Sequence, residues 1–272
     1  MTPRSLPGGL VIDGELHRDY RFKPLCGELE LSLAEAAADD GCTADRVTAV
    51  LACALATLAG REPDALLVEH LVVGDRQFLM RQLSALLDDS PRWLTVRCNA
   101  CDALFDLSYR PSTLPVKTAG GGYPEKSVKI GAAGYRLRLP TGSDQARLDP
   151  GATAEEQQRQ LLAGLLRPAP DMTTLSLQDI EQLDQALEAM APEVALQLLA
   201  PCPQCQTENT VDVDPYQSLD TSPDNLLAEI HLLASTYHWS QREILDLPRR
   251  RRHHYLQLIE ANRGNSGAEA GN

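Results

Sequence analysis

The chain has 272 residues, of which 43% are hydrophobic, 23% charged and only 4% aromatic, and its formal net charge is −13. A chain of this length can bury a core without disulfide bonds, and its frequent Ala and Leu residues favour helices. The acidic charge disfavours nucleic acid as a partner, and the sequence contains neither a membrane-spanning apolar run nor the apolar core of a signal peptide. We therefore expect a cytoplasmic protein that does not bind membranes.

The N-terminal segment, residues 1–40, is predicted to be an extended arm. Gly8-Gly9 and Asp13-Gly14 are turn signals, and the polar stretch over residues 17–22 alternates with the period of an extended chain. The region that follows, residues 41–92, is predicted to be helical.

Two helices are predicted within residues 41–92. Apolar residues recur at helical spacing from Val47 to Leu58, and Gly60 ends the run as a C-terminal cap does. The second helix covers about residues 75–87, with Asp75 near its positively charged N-terminal end.

The first Cys-x-x-Cys pair, Cys98 and Cys101, lies between two segments that alternate as β-strands do. Residues 93–97 (WLTVR) precede the pair and residues 104–107 (LFDL) follow it. The sequence therefore predicts a first zinc-knuckle hairpin over residues 93–110.

Residues 111–200 are predicted to form an insertion that contains a β-hairpin and then helices. Prolines and glycines in residues 111–125 indicate a flexible connection. The predicted hairpin pairs residues 128–130 with residues 135–139. The predicted helices cover residues 154–166, 177–190 and 193–199.

The second pair, Cys202 and Cys205, has the same local setting as the first, because the alternating residues 210–213 follow it. We predict a second zinc-knuckle hairpin over residues 201–215. Residues 216–263 are predicted to be a C-terminal helical region. The small residues of segment 264–272 indicate a disordered tail.

Two Cys-x-x-Cys turns together supply the ligands of a structural zinc site, since Zn²⁺ prefers four tetrahedral ligands. We predict one zinc ion per chain, bound by Cys98, Cys101, Cys202 and Cys205, with no position left for an activated water molecule. The pairs are about a hundred residues apart, far more than in a compact zinc ribbon, so two independent structural or redox pairs and an iron–sulfur centre remain alternatives. A thioredoxin-like pair would begin a helix, whereas each pair here precedes a strand.

The remaining sequence indicates no catalytic site. It lacks a phosphate-binding P-loop, a Gly-x-Ser-x-Gly elbow and a His-Glu-x-x-His pair, so we predict a protein that is not an enzyme. Its only basic block, residues 249–254 (RRRRHH), begins a predicted helix, where cations oppose the helix dipole. The block is interpreted either as a solvated helix start or as a partner-binding patch.

These elements predict an α+β, predominantly helical fold. Zinc-ribbon-like β-hairpins, pinned by the four-cysteine site, would lie between helical N- and C-terminal parts.

Four stretches, in this order around the cysteine pairs, carry a family resemblance. They are residues 6–9 (LPGG) with 14–18 (GELHR), 73–79 (VGDRQFL), 138–145 (RLPTGSDQ) and 237–248 (YHWSQREILDLP). Together they resemble the zinc-ribbon-containing baseplate hub assembly chaperones of contractile-tailed bacteriophages and of phage-like contractile injection systems. The resemblance spans most of the chain, although no single stretch is diagnostic.

The resemblance implies a non-enzymatic assembly factor or adaptor that helps to build the baseplate or central hub of a contractile tail. Its partners would be baseplate and hub proteins in the bacterial cytoplasm, with no small-molecule substrate. A permanent baseplate component retained in the particle and a nucleic-acid-binding zinc-ribbon regulator are alternatives, and acidic residues around both cysteine pairs disfavour the second. The predicted partner-binding residues are Asp75, Arg76, Trp239, Arg249, Arg250, Arg251 and Arg252.

Overall fold

The computed structural model describes residues 4–38, 40–172, 175–220 and 223–268. Helices account for 45% of the structure and strands for 25%, so the chain is a mixed α/β protein, and it carries a four-cysteine cluster. The prediction of a fold that combines helices with strands is confirmed at this level. None of the helices in the described residues is long and apolar enough to cross a membrane.

The N-terminal unit is a three-stranded antiparallel sheet packed against helices. Its strands, in the spatial order β1-β2-β3, are β1 (Arg4–Ile12), β2 (Glu15–Phe22) and β3 (Leu55–Leu58). Its helices are α1 (Gly27–Ala37), α2 (Thr43–Ala54), α3 (Ala65–Glu69) and α4 (Val73–Leu87). The rings of Tyr20 and Phe22 meet edge to face in the core, where Tyr20 also contacts Phe78 of α4.

Two N-terminal predictions are corrected. The described part of the predicted extended arm forms the β1–β2 hairpin and α1, because Leu6, Leu10 and Phe22 are buried against the helices. The helix predicted to run to Leu58 ends at Ala54, since the fully buried residues of β3 pair with β2 instead. The continuous apolar run therefore forms a helix followed by a strand, because its last residues are buried by pairing with β2.

The first cysteine pair lies in the turn between β4 (Arg92–Arg97) and β5 (Leu104–Tyr109). The two strands pair antiparallel from Arg92 opposite Tyr109 to Arg97 opposite Leu104. A short 3₁₀ turn, Pro111–Thr113, then leads into the insertion.

The insertion has a sheet and a core of its own. Its strands are β6 (Val116–Lys117), β7 (Glu125–Ile130), β8 (Ala133–Arg138), β9 (Leu166–Arg167) and β10 (Glu193–Val194). Its helices are α5 (Gly142–Ala146), α6 (Ala154–Leu165) and α7 (Leu177–Met190). Strands β7, β8 and β9 form one sheet, so the predicted β-hairpin is confirmed, and Leu137, Leu162 and Met190 are fully buried in this core.

The second cysteine pair lies between β11 (Gln197–Pro201) and β12 (Glu208–Asp212), which are also antiparallel. The helix predicted over residues 193–199 is therefore not formed. Its residues belong to β10, which pairs with β6, and to β11, because Val194 and Ala200 become buried through strand pairing.

The C-terminal region contains α8 (Pro223–Tyr237), α9 (Gln241–Leu245) and α10 (Arg249–Ala268), after a 3₁₀ turn over Gln217–Asp220. Its core includes Leu233, Ile244 and Ile259, and both α8 and α9 contact α1 of the N-terminal unit. The predicted tail begins at residue 264, but α10 continues to Ala268, and residues 269–272 lie outside the described residues.

Candidate metal centre

The two cysteine turns have the same backbone geometry. In the first turn, the N–H of Cys98 donates to Ala103 O (2.9 Å) and that of Asp102 donates to Cys98 O (3.1 Å). In the second, the N–H of Cys202 donates to Thr207 O (2.9 Å) and that of Gln206 donates to Cys202 O (2.9 Å). We call these turns the first knuckle, residues 98–103, and the second knuckle, residues 202–207.

Each knuckle needs one residue in the left-handed region of the backbone. Asp102 has φ of 58° and Gln206 has φ of 60°, and each directly follows the second cysteine of its pair. This reversal closes the turn, so both sulfur atoms of a pair lie on the same side of their hairpin. A non-glycine residue in this region is uncommon, and its occurrence at equivalent positions shows that the two knuckles are built alike.

The four sulfur atoms meet in one cluster, although the two pairs are far apart in the sequence. Cys98 Sγ lies 3.6 Å from Cys205 Sγ, Cys101 Sγ lies 3.7 Å from Cys202 Sγ, and all four atoms lie within 4.8 Å of one another. A disulfide bond would need about 2.05 Å, and all four cysteines are free. Tetrahedral zinc, with Zn–S distances of about 2.3 Å, requires S–S separations of about 3.8 Å. The cluster is therefore compatible with a single metal ion.

The side chain of Asn209 joins the two knuckles, and the sequence patterns did not identify it. Its Oδ1 accepts the N–H of Asn99 in the first knuckle (2.9 Å), while its Nδ2 donates to Thr207 O in the second (2.9 Å). The same Nδ2 lies 3.8 Å from Cys98 Sγ, and Asn209 is only 2% exposed. Asparagine is depleted in strands. An asparagine on β12, beside a cysteine pair, is therefore the sequence feature that could have identified Asn209 as part of the site.

Backbone amides and neighbouring sulfur atoms make the four thiols unequal. The N–H groups of Ala100 and Cys101 lower the pKa of Cys98 to about 6. At Cys101 the N–H of Ala103 also lowers the pKa. This effect is outweighed by the nearby sulfur of Cys205, by burial and by the other two thiols, which together raise the pKa of Cys101 to about 12. Hydrogen bonds to Thr207 lower the pKa of Cys205. Such a cluster loses its protons as a coupled set, and a bound cation would favour the fully deprotonated form.

The predicted partner residue Asp75 lies inside the protein. Its side chain is 0% exposed and accepts the N–H groups of Gly8 (2.8 Å) and Gly9 (2.7 Å), while the hydroxyl of Tyr123 lies 3.3 Å away. Burial raises the pKa of this carboxyl group to about 6, although these hydrogen bonds favour its charged form. Asp75 therefore joins β1, α4 and the insertion, and its surface role is not supported.

Arg76 is also 0% exposed, and its guanidinium group bonds only within the chain. Its Nη2 donates to Ala44 O (2.6 Å), and its Nη1 donates to Thr48 Oγ1 (3.0 Å) and Val68 O (3.1 Å). A Cβ atom at Gly142 would overlap the guanidinium group of Arg76, so glycine at this position lets α5 lie directly against Arg76. Arg76 thus fastens α2 and α3 to α4 and the insertion, and it is not available to a partner.

The basic block divides into an internal and an external part. Arg252 is 0% exposed, and its guanidinium group contacts Glu30 (2.7 Å) and Glu229 (3.4 Å), so it too is removed from the predicted partner surface. Arg249 is partly exposed and donates to Leu87 O (2.7 Å). Arg250 and Arg251 are exposed.

Trp239 is half-buried in an aromatic cluster. Its ring stacks on Tyr237 and meets Tyr255 edge to face, with centroid distances of 4.9 Å in both pairs. It therefore connects the end of α8 to α10, and part of its ring remains accessible.

Comparison of the chain with models of known protein families, with curated proteins and with solved structures finds no match. The geometry of the cysteine cluster and of the buried polar groups consequently carries the functional interpretation.

Proposed function

We propose that this protein is a non-enzymatic assembly factor or adaptor for the baseplate or central hub of a contractile tail or contractile injection system. The observation that carries the proposal is the position of the resembling stretches in the structure. Glycines of residues 6–9 bind Asp75 in residues 73–79, and Arg76 of the same stretch packs on Gly142 in residues 138–145. Three separated stretches therefore form one buried junction, which supports the view that their joint occurrence reflects a common fold.

The metal we propose at the cysteine cluster is a single structural zinc ion. Four thiolates fill the tetrahedral sphere that Zn²⁺ prefers and leave no position for substrate or activated water. The two similar knuckles on antiparallel hairpins support a zinc-ribbon-like arrangement. Zinc content measured by mass spectrometry on protein purified without chelator tests this assignment. One zinc per chain is expected, and iron with the visible absorption of an iron–sulfur centre would refute it.

A shared ion would give this protein a rigid frame for protein contacts. It would fix both ends of the insertion to each other, since the first knuckle precedes the insertion and the second follows it. The N-terminal unit and the C-terminal helices, which contact each other through α1 and α8, would then present surfaces in a constant relation to hub proteins. Such work needs no catalytic residue and would take place in the bacterial cytoplasm during assembly.

The proposal is tested by affinity purification of the tagged chain from cells that produce it together with the proteins of a contractile tail. Hub or baseplate proteins are expected to co-purify with the wild type. They should be lost with Cys98→Ala, which removes a zinc ligand, and retained with Cys53→Ala, a cysteine outside the cluster. If no tail protein co-purifies during assembly, the proposal is wrong.

Mass spectrometry of purified particles separates an assembly factor from a permanent baseplate component. An assembly factor is absent from finished particles, whereas a component is present in constant ratio to the hub proteins. The exposed acids Asp102, Asp106, Glu208 and Asp212 surround the knuckles and argue against a nucleic-acid regulator, which needs a basic surface there.

A further inference from the structure

A basic groove lies where the C-terminal helices meet the N-terminal unit. It has a volume of about 1190 Å³, and we define it by six of its lining residues. They are Leu25, Leu86, Leu87, Arg250, Arg251 and His254. The leucines are half-buried, while the two arginines and the histidine are exposed, so an apolar floor lies beside a wall that the arginines make positively charged.

The positive charge of this wall is only partly offset within the groove, where Asp88 is the acidic residue among the described lining residues. Arg252 is neutralised by Glu30 and Glu229, but in the described part of the chain no carboxylate lies within ion-pair distance of Arg250 or Arg251. Both occur in the first turn of α10, where the helix dipole disfavours cations. An external anion would offset this cost.

The overall charge makes the groove distinctive. The chain carries −13, yet this wall concentrates cations beside partly exposed apolar side chains. Charge complementarity favours an acidic segment as the occupant of the groove. The leucine side chains favour a segment that also has apolar residues between its acidic residues. A nucleic acid fits less well, because tight binding to phosphates needs many cationic contacts and gains little from leucine.

We propose that the basic groove docks an acidic, leucine-containing segment of a partner protein. This inference rests on the proposed function, since it names the chemistry of the segment through which a tail protein would be recognised. Arg250 and Arg251 would contact the carboxylates, and Leu86 and Leu87 would pack against the apolar side chains. The C-terminal helices would thereby serve as the recognition element.

Fluorescence anisotropy of full-length zinc-loaded protein tests the proposal, with a labelled peptide that repeats Glu-Leu-Leu-Glu as the probe. The double variant Arg250→Glu/Arg251→Glu should weaken binding at least about tenfold, because both charge contacts become repulsive. The matched control Lys129→Glu/Arg147→Glu makes the same change of net charge at exposed residues of the insertion and should change the affinity less than about twofold. Circular dichroism verifies that both variants are folded.

Two further probes decide between electrostatic, apolar and nucleic-acid recognition. A peptide with Gln in place of Glu and one with Ser in place of Leu should each bind more weakly than the original. The proposal is overturned if the acidic peptide does not bind at low salt, if both double variants lose affinity equally, or if a single-stranded oligonucleotide binds more tightly than the peptide. These outcomes are independent of co-purification with tail proteins. A result that contradicts peptide docking in the groove can therefore be distinguished from one that contradicts the proposed function.

Discussion

Replacement of Asp75 by asparagine tests the energetics of the buried junction between β1, α4 and the insertion. Burial raises the pKa of Asp75 from 3.8 to about 6, against the N–H groups of Gly9 and Gly8. A carboxyl group whose pKa is higher in the folded than in the unfolded chain binds more protons when folded. Its stabilising contribution is therefore complete below pH 3.8 and is lost as the pH rises through about 6.

The magnitude follows from the two pKa values. The interval from 3.8 to about 6, at about 1.36 kcal/mol per pKa unit, corresponds to about 3 kcal/mol in the free energy of unfolding. Roughly 1.4 kcal/mol of this contribution is present at a pH of about 5. Asparagine does not titrate, and it offers one acceptor oxygen where Asp75 offers one each to Gly8 and Gly9. A buried N–H left without its acceptor costs about 1–3 kcal/mol at every pH.

The expected result is a pH-dependent difference between the two proteins. Asp75→Asn should destabilise the chain by roughly 1.4 kcal/mol more at a pH of about 5 than at a pH of about 8. Urea unfolding followed by circular dichroism, with zinc present throughout, measures this difference, and any pH effect on the metal site cancels between variant and wild type. Asp13→Asn is the control, because the Asp13 side chain is 90% exposed. Parallel pH curves for Asp75→Asn and the wild type would refute the reasoning.

Three further substitutions test the metal site and the other buried charges. Cys202→Ala should abolish zinc binding and lower the melting temperature, whereas Cys53→Ala should retain the metal, as measured by zinc content and calorimetry. Gly142→Ala should lower the free energy of unfolding by about 1–3 kcal/mol in urea titrations, since its Cβ would overlap Arg76, and an unchanged midpoint would contradict that contact. Arg252→Ala should cost about 3–5 kcal/mol, because the largely buried Glu30 would lose its closer cation and keep only Arg249 at 3.9 Å, and a loss below about 1 kcal/mol would show that the pair is solvated.

The cysteine cluster could be predicted because its signal is local. A Cys-x-x-Cys pair flanked by strand-forming residues predicts a turn whatever the rest of the chain does, and the occurrence of two such pairs suggested that they share an ion. The contribution of Asn209 could not be predicted, because its hydrogen bonds to Asn99 and Thr207 depend on how the two hairpins meet. No sequence pattern specifies that arrangement.

The errors in secondary structure arose where an apolar run fits both a helix and a strand. Residues 55–58 continue the helical spacing of α2, but β2 offers a sheet edge, and Leu55 and Leu58 are buried by pairing with it. Residues 193–199 were likewise assigned to a helix from local propensity, whereas β6 and β12 supply strand partners from distant positions. Tertiary pairing overrides propensity in both cases.

Buried charges account for three of the seven predicted partner-binding residues. Asp75, Arg76 and Arg252 are charged, and charged side chains are rarely buried unless they are paired. Here each one bonds to groups distant in the sequence, and each adds a polar contact between separate parts of the chain. The resembling stretches that contain the first two are therefore constrained by folding, so their residues cannot identify a partner. Any recognition through the basic block would instead involve Arg250 and Arg251, which are exposed and have no ion-pair partner among the described residues.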